Sequence, residues 1–234
     1  MANACLFVEG QGDVQFFKAL FRRLDADKRI DIKPPSALAP RLGDTVSHFP
    51  SLISMLVKSL EDGRLEQLGI IADADYTSGG GFESRWNTLG GCLKEHGFNI
   101  PKKPPKLADA GSIFKHADGL PSVGLYLMPN HRDNGMLEDL LWQGLKHEPE
   151  GQALQRYAEK TIKALPHTRF SKHHHTKALL YTWLAWQKRP GQTMDVTINA
   201  KLLDYELDAL KGFLNWLARV FPFLKNSHHL LGGG

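Results

Sequence analysis

The stretch Leu68-Gly69-Ile70-Ile71-Ala72-Asp73-Ala74-Asp75 is an apolar run that ends in two aspartates one residue apart. Such a short apolar run reads as a buried strand. Side chains alternate along a strand, so Asp73 and Asp75 can share one side of a sheet edge. Two carboxylates there suit a hard, oxygen-seeking cation such as Mg²⁺. Without a cation or proton between them they repel, so a fold gains no stability from the pair. Chemistry is therefore the first reading, and helix capping or a turn is the alternative.

Other acids stand at similar places. Ala4 to Val8 reads as a buried strand, with Glu9-Gly10-Gln11-Gly12 as the turn after it and Asp13 at the head of a helix. Val123 to Met128 is a third strand, and Asn130 to Glu138 follows it. Asp13 also fits a helix cap, and Glu138 and Asp139 also fit first-turn acids that complement a helix dipole. His131 and Arg132, directly after a strand end, are candidate substrate contacts, or else ordinary loop residues. His173-His174-His175 cannot all chelate one ion, because three consecutive helical residues fan across roughly 200°. No HExxH or paired CxxC supports zinc, so a solvated basic helix start is the better reading, with phosphate contact as the alternative.

The elements that must position these residues alternate. Helices are predicted from Asp13 through Leu24, from Asp44 or Thr45 through Leu60, and from Phe82 to His96. Ile30 to Lys33 is a short strand, and Gly79-Gly80-Gly81 is a flexible loop. Strands alternating with helices predict an α/β fold: a mainly parallel sheet with helices on both faces. In such sheets ligands gather at the carboxyl ends of the strands, where Glu9, Asp73, Asp75 and Glu138 would converge. From Gly151 onward the pattern is helical: Leu154 to Leu165, His173 to Gln187 and Leu202 to Phe221, then a frayed tail at Leu230 to Gly234. Trp183, Trp186 and Trp216 read as core, with nucleobase stacking by one of them as the alternative. The expected organisation is an α/β domain over 1–148 with a helical extension, 149–234, packed on it.

Val8-Glu9-Gly10-Gln11-Gly12-Asp13 followed by Ile70-Ile71-Ala72-Asp73-Ala74-Asp75 resembles the Toprim domain, in the form found in OLD-family nucleases. That pattern is a glutamate after the first strand and a DxD after a later one. The resemblance runs loosely over residues 4–180 and implies a Toprim-like, Rossmannoid sheet. Position by position, Glu9 matches the first-strand glutamate, Asp13 the acid at the head of the next helix, and Asp73 and Asp75 the DxD. Gly135-Met136-Leu137-Glu138-Asp139-Leu140 resembles the later acidic segment, where Glu138 would complete a second metal site. A lysine of the following helical region helps stabilise the transition state in OLD-type enzymes; Lys177 is the best match and Lys172 the next. The resemblance thus implies phosphodiester hydrolysis of nucleic acid with one or two Mg²⁺ or Mn²⁺ ions. Glu9 fits either metal binding or proton transfer.

Two other functions compete. Asp73-Ala74-Asp75-Tyr76-Thr77 fits the DxDx[TV] motif of haloacid-dehalogenase-like phosphatases, with Asp73 as nucleophile. That motif normally ends a first strand, whereas here a strand and two helices precede it. The chain also resembles a small stand-alone Toprim-type protein, which could serve as a non-catalytic nucleic-acid or protein-binding module. No GxxxxGK[ST] occurs, so an ATPase would have to be a separate partner.

Composition narrows the class. Of 234 residues 42% are hydrophobic and 23% charged, enough apolar content for a core and no excess of charge. The net charge of +4 permits nucleic-acid binding without arguing for it. No apolar run approaches the roughly 20 residues of a membrane span. Met1 to Cys5 lacks a signal peptide's basic start and apolar core, and the two cysteines, Cys5 and Cys92, sit in apolar segments. A cytoplasmic protein with reduced thiols and no membrane partner is expected.

Overall fold

Side-chain alternation along three strands divides the interior into two apolar layers. In the computed structural model, which describes residues 3–41, 44, 46–76, 80–104, 111–225, 227 and 231, Leu6, Val8, Ile71, Tyr126 and Met128 face one layer. Cys5, Phe7, Leu68, Ile70, Ala72, Val123, Leu125 and Leu127 face the other. Strands this apolar on both sides belong to a parallel sheet covered by helices on each face.

The chain order is β1 (Ala4–Phe7), α1 (Gln11–Arg23), β2 (Asp31–Lys33), α2 (Pro35–Leu38), α3 (Phe49–Glu61), β3 (Gln67–Asp73) and α4 (Gly81–Glu95). Then come β4 (Ser112–Phe114), β5 (Val123–Met128), α5 (Leu137–Gln143), α6 (Pro149–Lys163), α7 (His175–Ala185), α8 (Val196–Asn199) and α9 (Asp208–Val220). The sheet order is β2-β1-β3-β5-β4. β1, β2, β3 and β5 run parallel, and β4 is an antiparallel edge. The carboxyl ends of β1, β3 and β5 therefore lie side by side.

Helices α3 and α4 cover one face. Phe49, Leu52, Ile53, Leu56 and Leu60 fall three or four residues apart, which puts them on one stripe of α3. Helices α1, α5 and α9 contribute to the opposite layer, with α6, α7 and α8 joined to the same core. Two glycines let α9 approach. A Cβ on Gly124 would lie 2.3 Å from Val220 Cγ2 and 3.0 Å from Trp216 Cζ2, and one on Gly69 would lie 3.1 Å from Phe221 Cζ. The described residues from 149 onward thus share a core with those before them, and α9 lies directly on the sheet.

Several local expectations are corrected. Helix α3 starts at Phe49 after a 3-10 turn, and Asp44 instead accepts the Ser36 N–H at 2.8 Å. The stretch from Leu202 is irregular up to α9, because Leu203 pairs with Leu145 across a single β-bridge. Trp183 and Trp216 are core, but Trp186 is 37% exposed against Tyr157. Strand β4 has no counterpart in the sequence reading. Thr45, Thr77, Gly79 and the tail residues other than Leu231 lie outside the described residues. Among the described residues, no helix is long and apolar enough to cross a membrane.

Candidate active site

Glu9 follows β1, Asp73 ends β3, and the loop after β5 leads into α5, which carries Glu138. Backbone amides tie these three places together. Glu9 Oε1 accepts the Asp73 N–H at 2.9 Å, and Asp73 Oδ1 accepts the Leu137 N–H at the start of α5 at 3.0 Å. Asp75 and Gly135 exchange backbone bonds of 2.9 and 3.0 Å, pinning the aspartate pair to the β5–α5 loop. This bridge places Asp75 in the left-handed region, φ 60°. Aspartate tolerates that region better than most residues, yet it is uncommon there.

Asp13 sits in the first turn of α1, where its Oδ2 accepts the Gly10 N–H at 3.1 Å. The residue therefore closes the helix start from inside, rather than capping it from outside. Asp139 does the same for α5, accepting the Met136 N–H at 2.8 Å, and it also accepts the Tyr76 hydroxyl at 2.9 Å. Asp139 is thus a helix-start residue, while Glu138, only 3% exposed, points into the protein.

Two cations meet the acids. Lys177, in the first turn of α7, places Nζ 3.0 Å from Glu138 Oε1. Arg85 donates from Nε to the Asp73 carbonyl at 3.0 Å and forms an ion pair with the Asp75 carboxylate. Lys177 lies in the first turn of its helix, where the dipole disfavours positive charge, and its acid partner offsets that cost. Lys177 was matched in the sequence only through the Toprim resemblance. Arg85 was missed, and nothing in its sequence context points to it.

The acids feel one another. Burial pushes the Glu9 carboxyl up to about 8, with Asp13 and Asp75 adding to the rise and the Asp73 N–H and Arg85 opposing it. Burial likewise pushes Asp13 up to about 6, helped by the charge of Glu138. Asp73 lies well above the usual carboxylate range, first through burial, then through Glu9, Asp13, Glu138 and Asp75. Burial alone would lower the Lys177 ammonium, but Glu138 outweighs it and holds the lysine above its ordinary value. Five carboxylates face two cations, and the raised values of Glu9, Asp13 and Asp73 mean that protons are held where no cation offsets the charge.

Carboxylate oxygens are the donors that a hard cation takes. Glu9, Asp73 and Glu138 each engage one oxygen with the protein, which leaves a second oxygen on each for a ligand. Among the described residues, no three His, Cys, Asp or Glu side chains already stand close enough to hold a metal ion together. The carboxylates expected from the sequence as ligands are Glu9, Asp13, Asp73, Asp75 and Glu138, and all five are among the described residues.

The expected substrate contacts divide. His131 is fully buried and is not placed to touch a substrate. Its Nδ1 accepts the Leu127 N–H at 2.9 Å, so the proton sits on Nε2, 2.8 Å from Ser112 Oγ. Burial among Phe82, Trp86 and Tyr126 lowers its pKa to about 3, which keeps it neutral. It is a strut holding the β5–α5 loop against β4, so of the two readings of His131 its burial fits the loop residue rather than the substrate contact. Arg132 is exposed and pairs with Asp133 at 3.2 Å. Lys172 is exposed in a 3-10 turn with His173 and His174, ahead of α7.

No curated protein and no solved structure matches the chain. Over residues 3–222 it matches the model of the family described as Protein of unknown function (DUF3226), and the chain belongs to that family.

Proposed function

We propose that this protein is a metal-dependent phosphodiesterase acting on nucleic acid, a nuclease of the Toprim type working in the cytoplasm. The observation that carries this reading is the chain of contacts at the carboxyl ends of β1, β3 and β5: Glu9 on the Asp73 amide, Asp73 on the first amide of α5, and Lys177 on Glu138. In this reading Glu9, Asp13, Asp73, Asp75 and Glu138 hold one or two Mg²⁺ or Mn²⁺ ions. The bound metal supplies Lewis acidity at the phosphodiester.

The chain's own groups do the rest. Arg85 braces both Asp73, through its carbonyl, and Asp75, through its carboxylate, so the aspartate pair cannot swing apart. The Leu137 N–H fixes the Asp73 carboxylate plane. Lys177, held by Glu138 and half exposed, offers an ammonium that can follow charge as it develops on the phosphoryl oxygens.

The decisive experiment incubates purified protein with Mg²⁺ or Mn²⁺ and linear, circular, single-stranded and duplex DNA and RNA. Glu9→Gln and Asp73→Asn serve as paired controls. Hydrolysis lost in both folded variants is expected. Intact nucleic acid in every form, or hydrolysis indifferent to both substitutions, overturns the proposal.

A further inference from the structure

Lys177 faces two places at once. Its ammonium rests on Glu138, and the residue also lines a cavity of about 380 Å³ together with Phe170, His174, Ala178 and Tyr181. That volume is within the range of small-ligand sites, about 300–1,000 Å³. His174, Lys177, Ala178 and Tyr181 recur at three- and four-residue intervals, so they form one stripe of α7 and its leading turn. Phe170 closes the wall from the segment between α6 and α7. Tyr181 is 36% exposed, so burying a core does not account for its ring.

The wall combines two aromatic rings, one small residue, one imidazole and one ammonium. Aromatic faces take up any nucleobase by stacking, and a neighbouring cation takes up its phosphate. Lys177 lines the cavity and also pairs with Glu138 at 3.0 Å, so the cavity borders the carboxylate site. A base seated in it would therefore adjoin a phosphodiester at the acids. Tyr157 of α6 and Trp186, just past the end of α7, form an exposed aromatic pair with ring centroids 5.8 Å apart. A duplex keeps its bases paired and stacked inside, and so cannot present one to such a cavity without unstacking it.

We propose that the Phe170–His174–Lys177–Tyr181 cavity seats an unpaired nucleobase beside the scissile phosphodiester, which makes single-stranded nucleic acid the substrate class. This rests on the phosphodiesterase reading of the adjoining acids.

The test is binding rather than turnover. Short fluorescein-labelled DNA and RNA single strands, and the corresponding duplexes, are titrated with wild type, Tyr181→Leu and Tyr181→Phe in CaCl₂. Fluorescence anisotropy is read, and strand integrity is checked on a gel. Wild type should bind one or both single strands more tightly than the duplexes. Tyr181→Leu should weaken single-strand binding about tenfold, the loss of one stacked base, and Tyr181→Phe should retain it. Equal binding of duplex and single strand, no binding of either single strand, or a Tyr181→Leu variant that binds like wild type overturns the inference. Hydrolysis that is lost in Asp73→Asn but persists in Tyr181→Leu with unchanged strand preference would remove the cavity's role and leave the phosphodiesterase reading standing. Strand binding that depends on Tyr181, without hydrolysis, would do the reverse.

Discussion

Replacing Glu9 by glutamine should make the metal-free protein more stable, and increasingly so as pH rises. Glu9 sits among Asp13, Asp73 and Asp75, and its pKa climbs from 4.5 to about 8 in the folded chain. A carboxyl whose folded pKa lies above its unfolded value binds protons more tightly when folded. Stability is therefore full below pH 4.5 and declines as pH rises toward 8. A tenfold difference in proton affinity between the folded and unfolded chain is worth about 1.4 kcal/mol. The ionisation of Glu9 thus costs the fold about 2 kcal/mol at pH 6 and about 4 kcal/mol at pH 8, and almost nothing at pH 4. Glutamine keeps the oxygen that accepts the Asp73 N–H and places an amide donor among the acids, without the charge. At about 2–4 °C per kcal/mol for a chain of this size, Glu9→Gln should melt about 4–8 °C above wild type at pH 6. At pH 8 the gap should reach about 8–16 °C, and at pH 4 the two should coincide. The assay is thermal and urea unfolding in EDTA from pH 4 to 8.5. Neutral buried His131 acts in the opposite sense, since its pKa of about 3 removes stability as pH falls from 6.5, but it is common to both proteins and cancels in the difference. A gap independent of pH, or a less stable variant at pH 8, would refute the claim that the fold tolerates this charge at a cost.

Four further outcomes are expected. Mg²⁺ at about a hundred times its dissociation constant should stabilise wild type by about 2.7 kcal/mol at pH 8, read as a rise in Tm. The rise should be smaller at pH 6, where the carboxylates must first shed protons, and absent in Asp73→Asn. Lys177→Met should abolish hydrolysis while lowering stability by about 1 kcal/mol, since the lysine end of its pair with Glu138 is half exposed; an active variant would remove Lys177 from the site. His131→Ala should cost about 3 kcal/mol in urea unfolding, by emptying an aromatic-walled site and orphaning the Leu127 N–H. Gly124→Ala should cost about 1–3 kcal/mol by forcing α9 off the sheet, and Val220→Ala in the same chain should restore part of it.

The sequence by itself settled the strands whose two faces are both apolar, and the α/β class that follows from their alternation with helices. It also singled out Asp73 and Asp75, because a repelling pair at a strand end gives folding no benefit, and through the Toprim resemblance it added Glu9, Asp13 and Glu138. What it could not supply was anything dependent on contact between distant segments. Strand β4 is three residues long and is held as a strand only by pairing with β5. His131 and Arg132 are neighbours with opposite fates, one fully buried and one exposed, because the left-handed turn at His131, φ 59°, directs its ring under the loop. Arg85 became part of the site only when α4 folded back over the end of β3. The cavity beside Lys177 likewise exists only because the segment carrying Phe170 closes against α7. Periodicity and residue chemistry act within a few residues and are legible along the chain. Which carboxylate meets which amide, and which ring meets solvent, is decided by packing between elements that are 60 or more positions apart, as in the bond from Leu137 to Asp73.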